Sequence, residues 1–566
     1  MLKLVFFLIG VTFLPLLLSS QVVYEPVANN PVYDLLDELA TRGMIEINPV
    51  EKPYSRNFIA QKLKEAADEL GIRNEELGIQ LGVRSEESGI KVSTRLIKEL
   101  AFYLRDYRFE LGILHSNSSF LIPHSSFNLD PIGFNYSGKV FKLSVRPALD
   151  VRFMVNENGN VWNVNGGGAV FGYIGKNISY YFNVQQTWES QPLVRPEYFT
   201  MEEGKVWKQG RNGSVSNTEW RGGVSVAWKW GDFGVYKDRP IWGNGVHGTN
   251  ILSGHAPSFP YIQLHLKPAK WIEFRYIHGW LKADDGWQMA DGGSADSSAI
   301  RYPSSDKAPS KYIAANILTV FPWRTLAISL GNSIIYTSDH IIPAFLIPVQ
   351  FFKATDQTLT SLSVYSGQNN QLFFAIDARI LKMVHIYFST YIDDIKMSAL
   401  LSSDEINELG WKAGISIDRL PLRNLFFTAE YTRTNPLTYR HVVTTTEFYS
   451  GQYCLGNYMR DDSQELFLRL RYKPLARLQI DLSYLWAEHG IDYPHPERVN
   501  NYLLPFIGAV SYRKQAVETS IRMQFLNRLS GWISYAWQNL SGDVKYSPEM
   551  MRGRTNTLMV GVNLGL

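Results

Sequence analysis

The sequence has a single cysteine and no long apolar segment after its first residues, and each shortage excludes a class of protein. Cys454 is the only cysteine among 566 residues, so an intrachain disulfide and a cysteine metal cluster are excluded. Beyond residue 20 no apolar run reaches the about 20 residues that a membrane-spanning helix needs. The net charge of +3 gives no reason to expect nucleic acid as a partner.

Motifs of the common catalytic sites are missing as well. The 11 histidines form no HExxH pair, and neither GxSxG nor a glycine-rich phosphate loop occurs. Three adjacent carboxylate pairs leave a solvated turn, a Ca²⁺ site and a glycosidase open: Asp284-Asp285, Asp393-Asp394 and Asp461-Asp462. Neighbouring residues of a strand point to opposite faces, which argues against converging carboxylates. We therefore expect no enzyme, no catalytic residue, no metal ion and no cofactor.

The first residues have the pattern of an export signal. Lys3 precedes an apolar run from Leu4 to Leu18, and the small pair Ser19-Ser20 follows. This order is typical of a secretory signal peptide, which we place at residues 1–20. The mature chain is expected to leave the cytoplasm.

From residue 139 to the end, apolar and polar residues alternate in segments of roughly ten residues. The last segment carries one apolar face, formed by Leu558, Val560, Val562, Leu564 and Leu566. A strand with one side in lipid and the other in a polar lumen needs this period of two. Lumen-facing positions carry charges of both signs, which favours a mixed and partly plugged interior over a strongly selective pore.

Counting these segments predicts an all-β transmembrane barrel of about 18 antiparallel strands at residues 139–566. The predicted strands are 139–154, 166–174, 177–188, 221–230, 233–242, 260–268, 271–280, 311–320, 324–335, 370–380, 384–393, 408–417, 424–433, 463–473, 476–486, 514–526, 528–540 and 554–566. Short connections alternate with long ones, as periplasmic turns and extracellular loops do. Both chain ends are then expected in the periplasm, with the barrel in the bacterial outer membrane.

Residues 21–138 are expected to form a small periplasmic α-helical unit and its connection to the barrel. Leu35, Leu36 and Leu39 make a helical stripe, Ser55 can cap a second helix, and Ser93 a third. The unit could close the lumen or contact a protein partner.

The long connections hold much of the aromatic and histidine content, so function is expected there. Candidate carbohydrate-binding residues are Trp242, His247, Trp280, Trp287, Tyr439 and His441. A sugar face stacks on such rings, but a ring anchoring the membrane interface has the same composition, so both interpretations stay open. The apolar run from Ile341 to Phe352 is too hydrophobic for a free loop, and we expect it to fold over the barrel mouth or into it.

Four segments share their residues and order with one known family. The first runs from Gly234 to Pro260 and contains Lys237-Asp238, Trp242-Gly243-Asn244-Gly245 and Leu252-Ser253; the others are Val32–Leu36 with Gly43-Met44-Ile45, Asn369-Asn370 before Asp377 and Asp393-Asp394, and Tyr439-Arg440-His441 before Leu455-Gly456. Across nearly the whole mature chain, the sequence resembles the capsule assembly protein Wzi family, in the form seen in Bacteroidetes-type bacteria. The resemblance implies an outer-membrane lectin, and it carries no sugar-contact residue onto this chain.

We therefore expect a non-enzymatic outer-membrane protein that binds capsular or extracellular polysaccharide and helps attach and assemble it at the cell surface. Its other partners would be outer-membrane lipid and a periplasmic or outer-membrane protein. Two alternatives remain: an outer-membrane channel for solutes or exported polymer, and a barrel scaffold of a gliding or secretion apparatus.

Overall fold

The alternating segments close into an antiparallel barrel. The computed structural model describes residues 21–72, 93–112, 127–130, 132–283, 310–359, 367–394, 407–493 and 504–565. In it 18 antiparallel strands form a closed barrel, which confirms the predicted fold class. Numbered along the chain, they are β1 (Phe141–Asn156), β2 (Gly159–Ile174), β3 (Ile178–Glu189), β4 (Val215–Trp228), β5 (Gly231–Asp238), β6 (Phe259–Ala269), β7 (Ile272–Leu281), β8 (Ser310–Trp323), β9 (Leu326–Ser338), β10 (Asn369–Ile380), β11 (Val384–Asp394), β12 (Glu408–Asp418), β13 (Leu425–Thr434), β14 (Ser463–Leu475), β15 (Leu478–His489), β16 (Tyr512–Leu526), β17 (Leu529–Gly542) and β18 (Gly553–Leu564).

The barrel closes where β18 pairs with β1, in a register that joins Leu558 to Val155 and Leu564 to Leu149. Further along β1, residues 142–145 pair instead with the short strand Gly133–Ser137. That strand forms a hairpin with Phe127–Asp130. The chain therefore enters the barrel wall in this hairpin, ahead of the predicted boundary at residue 139.

Eight short connections lie at one end of the barrel, which we call the short-turn end: 175–177, 229–230, 270–271, 324–325, 381–383, 419–424, 476–477 and 527–528. The opposite, loop end carries the longer connections with one exception. The predicted loop 155–165 is wrong, because β1 and β2 continue to the pair Asn156 and Gly159. Asn156 Oδ1 accepts a hydrogen bond from Asn158 N at 2.8 Å, which stabilises a tight turn in its place.

Outward and inward faces follow the predicted alternation. On β1, Leu149, Val151 and Phe153 are exposed on the outside of the barrel. Arg146 and Ser144 lie on the other face and are buried. On this strand the lumen face is therefore the polar side, as the period of two requires.

The helical unit consists of α1 (Val32–Thr41), α2 (Arg56–Glu69), α3 (Thr94–Asp106) and the short α4 (Arg108–Leu111). Ser55 Oγ accepts a hydrogen bond from Phe58 N at 3.2 Å, and Ser93 Oγ accepts one from Arg95 N at 3.3 Å. Both predicted caps are thus confirmed. Of the helices in the described ranges, none combines the length and the apolar character needed to cross a membrane.

The helices lie inside the short-turn end of the barrel, and we call this unit, formed by residues 21–72 and 93–112, the plug. Asn527 of one short turn donates to Phe102 O at 3.0 Å, and Arg528 pairs with Asp106 at 2.6 Å. Arg95 donates to Asn424 of another short turn at 3.3 Å. Of the two predicted roles, closing the lumen is the one that these contacts fulfil.

The apolar segment between β9 and β10 takes a different course from the one expected. Residues 339–359 contain a 3₁₀ turn, Pro343–Leu346, and the helix α5 (Phe352–Leu359). Their buried rings Phe345 and Phe352 pack on Tyr276 and Tyr312. These tyrosines alternate with lumen-facing Ile277 and Ile313, so they point outward. The prediction that the segment lies over or inside the mouth is wrong, because it lies on the outer wall.

Candidate functional site

The loop 239–258 enters the lumen from the loop end and meets the plug inside the barrel. Its residues Ile241 and Trp242 form a short strand that pairs antiparallel with Glu51 and Lys52 of the plug. Gly243 N donates to Val50 O at 2.8 Å. We call residues 239–258 the infolded loop. It closes the lumen from the loop end, the plug closes it from the short-turn end, and backbone hydrogen bonds join the two.

Two glycines let this loop turn back sharply. Gly243 and Gly245 have φ values of 111° and 145°, which side-chain-bearing residues rarely adopt. A Cβ on Gly245 would also lie 2.1 Å from Gly248 O. The Trp-Gly-x-Gly pattern seen in the sequence thus serves the fold of the loop.

An apolar core fills the lumen beside β5 to β11. It joins Trp242 and Leu252 of the infolded loop to Ile313 and Phe373 of the wall and to Tyr24 of the plug. These side chains pack against one another and are thereby removed from water. The infolded loop is therefore part of the barrel's own hydrophobic core.

The connection 435–462 completes this core from the loop end. Phe448, Cys454 and Leu455 pack in it, and Cys454 is 3% exposed. Burial raises the pKa of the Cys454 thiol. A connection at the loop end predicts that Cys454 is labelled from the cell surface unless this connection is buried over the mouth, and the structure shows the second case, because the loop folds inward.

The plug is attached to the wall chiefly by charged pairs. These pairs are Asp34–Arg471 at 2.5 Å, Asp37–Arg379 at 2.8 Å, Glu99–Lys473 at 2.9 Å, Asp106–Arg528 at 2.6 Å, and Glu51–Arg275. The helices have a separate apolar core of their own, built from plug residues alone. Among the described residues of the plug, Tyr24, Val50 and Phe109 of α4 belong to apolar clusters shared with the barrel. The plug body is therefore a small folded unit inserted into a polar lumen.

Arginine and lysine side chains hold Asp34 and Glu38 of the plug in their charged form. Burial alone would raise the pKa of Asp34, but the guanidinium of Arg471 lowers it to about 2. Burial likewise opposes the charge of Glu38, and Arg95 together with Lys473 lowers its pKa to about 2. At neutral pH these two carboxylates are ionised.

An internal cavity of about 780 Å³ lies beside the apolar core, between the plug, the infolded loop and the wall. Its lining includes Tyr33 and Asp34 of the plug, Thr249 and His255 of the loop, and Arg221 of the wall. The plug rings Tyr33 and Tyr54 are stacked with centroids 5.4 Å apart. The cavity thus offers the hydrogen-bonding groups that sugar hydroxyls require.

Three arginines in the cavity lining have no carboxylate within salt-bridge distance among the described residues: Arg146, Arg469 and Arg522. Arg146 is 4% exposed and stands over the Phe171 ring at 4.5 Å. Arg522 donates only to Asn29 O, at 3.3 Å. The lining is therefore able to accept an acidic group from a ligand.

Two predicted sugar-binding rings are packed inside the protein. Trp242 is 1% exposed, with its ring edge-on to Phe373 at 6.4 Å. Tyr439 is 0% exposed and donates through its hydroxyl to Asn250 O at 2.6 Å. Neither ring has a face exposed to solvent in this structure, and their binding of a sugar stays a prediction.

Trp280 lies away from these two rings. Trp280 alternates with lumen-facing Leu281 and Ile277, and it packs edge-on to His278 on the outer wall. This position suits a membrane anchor better than a sugar site. Trp287 lies outside the described residues.

The two candidate histidines also have partners within the protein. His247 stacks on Phe467 at 4.4 Å, and its Nδ1 lies 2.8 Å from Glu465 Oε1. His441 Nδ1 lies 2.8 Å from Thr446 Oγ1, within its own loop. The five predicted residues that the structure describes do not form a single site, and whether any of the six binds sugar stays a prediction.

The acidic pairs that the structure describes stabilise loops. Asp393 accepts a hydrogen bond from Tyr439 N at 3.0 Å, Asp461 accepts one from Leu437 N at 3.1 Å, and Asp462 accepts one from Ile507 N at 2.8 Å. Within the described ranges no cluster of three or more histidine, cysteine or acidic residues is arranged to hold a metal ion. Asp284-Asp285 lies outside those ranges.

Sequence reasoning placed the cavity arginines on the inner face but did not single them out as a site. Their alternation with outward residues is visible along each strand, as in Leu468, Arg469, Leu470 and Arg471. The sequence does not show which of these arginines pairs with a carboxylate, because the carboxylates belong to the plug, which is distant in sequence. The signal available in the sequence was only an excess of inward arginines.

Comparison with solved structures gives the fold. Wzi, an outer membrane protein involved in group 1 capsule assembly in Escherichia coli and a carbohydrate-binding β-barrel, is similar over 97% of this chain and 100% of its own, with 12% identity and a TM-score of 0.53. OprD of Pseudomonas aeruginosa covers 76% of this chain and 96% of its own, with 10% identity and a TM-score of 0.41. OccAB2 of Acinetobacter baumannii covers 76% and 99%, with 9% identity and a TM-score of 0.42.

No protein-family model and no curated protein sequence matches the chain. At 12% identity the likeness to the Escherichia coli barrel extends to the fold alone. The chain is an outer-membrane-type β-barrel with a helical plug.

Proposed function

We propose that this protein is a non-catalytic, polysaccharide-binding barrel that retains capsular or extracellular polysaccharide at the outer surface of the bacterial outer membrane, as a distant member of the Wzi family. The observation that carries the proposal is the closed lumen: the plug and the infolded loop meet at Glu51 and Trp242, and a polar cavity remains beside them. A closed lumen with an internal cavity suits a binding protein better than a pore for free diffusion. The similar Escherichia coli protein is a carbohydrate-binding barrel, which supports the same class of ligand.

Within this proposal the cavity is the ligand site. Arg469 and Arg522 would pair with an acidic sugar residue, because both line the cavity without a carboxylate partner among the described residues. The plug and both chain ends would lie in the periplasm, and the infolded loop would face the polymer. The partners are then the polysaccharide, outer-membrane lipid and a protein that contacts the plug.

The test compares intact and gene-deleted cells of the native host. Deletion should leave polysaccharide synthesis unchanged and increase the polymer shed into the medium, since a binder retains polymer without making it. Polymer accumulating in the periplasm of the deletion strain would instead reject the binding function.

At the site, the double change Arg469→Gln and Arg522→Gln should weaken binding of the host's purified polysaccharide in calorimetry. The control is Arg513→Gln, on β16 like Arg522 but on the outer face, where it pairs with Glu488 at 2.6 Å. Equal binding by the double variant and the control would remove the cavity from the proposal.

A channel is the second candidate, and one observation favours it. The plug body is attached by charged pairs and has its own core, so it could leave the barrel as a unit. Planar-bilayer recordings separate the two functions. Steady conductance by the folded parent protein would support the channel, whereas a silent barrel that binds polymer supports the proposal.

A further inference from the structure

The segment 339–359, which we call the outer strap, lies on the outside of the barrel with an apolar surface turned away from it. Phe345 and Phe352 are fully buried against β7, β8 and β9. On its other side Val349 is 73% exposed and Ile347 55% exposed. Apolar side chains this exposed need an environment other than water.

The backbone of the strap is satisfied by groups that the outer wall provides for it. Asn316 Nδ2 donates to Pro348 O at 3.0 Å and to Gln350 O at 2.9 Å. Asn332 Oδ1 accepts from Phe352 N at 2.8 Å. The hydroxyl of Tyr276 donates to Phe345 O at 2.7 Å. Irregular backbone is tolerated at membrane depth only when protein groups replace water in this way.

The polar residues of the strap are distributed to match a membrane. From Ile341 to Phe352 the only polar side chain is Gln350, and its Nε2 donates to Ala344 O at 2.8 Å and to Ile347 O at 2.9 Å within the strap. Asp339 precedes this apolar stretch and Lys353 follows it. A segment that dips into hydrocarbon and returns has this pattern, with charges at both ends.

The position of the strap on the barrel wall also places it at the depth of the membrane. Asn316 and Asn332 are paired neighbours on β8 and β9, and the next outward pair toward the short-turn end is Leu318 with Leu330. Trp323, exposed at that end, is 7 residues from Asn316 on β8. At about 3.3 Å per residue and a tilt of about 40°, this spans roughly 18 Å of an apolar band about 25 Å tall. The strap thus begins within the band.

We propose that the outer strap is embedded in the membrane, with Ile347, Val349 and Phe351 in contact with lipid acyl chains. The occupant of this surface is lipid because the strap borders outward apolar residues of the wall, with Leu318 37% exposed and Leu330 62% exposed. A second copy of this chain, or water, would be the alternative occupant.

The test places a fluorescent reporter on the strap of the full chain in vesicles. In a Cys454→Ser background, Val349→Cys is labelled with an environment-sensitive maleimide dye and reconstituted in phosphatidylcholine with and without doxyl-labelled lipid. Leu330→Cys is the lipid-facing control, and Asp339→Cys is the water-exposed control. We expect position 349 to lose fluorescence to the doxyl lipid as position 330 does, while position 339 keeps its fluorescence.

Fluorescence at position 349 that resists the doxyl lipid, like that at position 339, would overturn the proposal. Oxidative cross-linking of Val349→Cys into a dimer would also overturn it, because a second copy would then cover the strap. Heat-modifiable migration in gels checks that each variant is folded. If Val349→Cys does not fold, Ile347→Cys replaces it with the same expectations.

Discussion

The two closures of the lumen are built on opposite principles. At the loop end, the infolded loop contributes Trp242 and Leu252 to an apolar core that it shares with the barrel wall. At the short-turn end, α1 to α3 keep a separate core and face the wall with charged groups such as Asp34 and Glu99. One closure is held by the exclusion of water and the other by ion pairs.

This difference determines which closure can be released. A shared apolar core responds little to pH or salt, so the loop closure should open only when the barrel itself loosens. Charged pairs depend on protonation and ionic strength, and the plug keeps its own core when they break. The plug is therefore the closure that a change of conditions can displace.

The largest effect is expected from removing the ring that anchors the infolded loop. Trp242→Ala should lower the free energy of unfolding by about 4 kcal/mol, because a fully buried ring leaves a cavity in the shared core. Urea unfolding in lipid vesicles, followed by circular dichroism, measures this. The matched control is Trp271→Ala, whose ring is exposed on a short turn and should cost far less.

The native Cys454 reports the opening of the loop end without an introduced cysteine. It packs in the core that contains Trp242, so an impermeant maleimide should leave it unlabelled in the parent protein on intact cells. In Trp242→Ala labelling should appear. Rapid labelling of the parent would contradict the closed loop end.

A smaller loss is expected when the wall loses a buried cation that pairs with the plug. Lys473 is 4% exposed and pairs with Glu99 at 2.9 Å and with Glu38 at 3.7 Å. Lys473→Met should cost about 3 kcal/mol, since buried carboxylates lose a partner. Hydrogen exchange should speed up in α1 and α3 and stay slow in the strands. Lys473→Arg keeps the charge and should behave like the parent, and uniform exchange in both variants would count against a separate plug.

Acid should release the plug without opening the barrel. Asp34 and Glu38 have ordinary pKa values of 3.8 and 4.5, and in the folded protein both are lowered to about 2. Groups with a lowered folded pKa stabilise above the ordinary value and lose that contribution as pH falls toward the folded value. Hydrogen exchange or proteolysis of the helices should therefore increase between about pH 4 and pH 2. If the helices remain equally protected at both pH values, the charged attachment is refuted.

The smallest effect is expected from the exposed pair between Arg324 and Glu46 at the rim. The side chain of Arg324 is 76% exposed, so water and salt screen the interaction. Arg324→Gln should change the stability of the plug by about 0.5 kcal/mol or less. A loss as large as that of Lys473→Met would mean that burial does not decide the strength of the plug's ion pairs.

Most of the barrel could be predicted because alternation is a local signal. Each of the 18 predicted strands has an observed counterpart, although β2 begins at Gly159 and β4 at Val215, ahead of predicted starts at 166 and 221. The miss at β2 has a physical reason: the sequence Asn156-Glu157-Asn158-Gly159 signals a turn but not how soon pairing resumes beyond it. Turn residues mark a reversal of the chain without fixing its length.

The candidate site could not be predicted to the same degree. Trp242 and Tyr439 belong to loops, and composition cannot tell an exposed loop ring from one that folds back into the lumen. The position of the apolar strap was equally ambiguous in the sequence. Its apolar residues are removed from water whether the strap lies over the barrel mouth, inside it or on the outer wall. Their destinations depend on contacts with strands far away in sequence.

The sequence by itself determined the class of the protein, the number of strands and the face of each strand that meets lipid, because a period of two is set by the local geometry of extended backbone. Tertiary structure decided where the connections go: Glu51 pairs with Trp242, Asp34 with Arg471, and Asn316 with the strap. Each of these pairs joins residues more than 30 positions apart. Hydrogen bonds and burial between such residues exist only after the barrel has closed, so no local pattern encodes them.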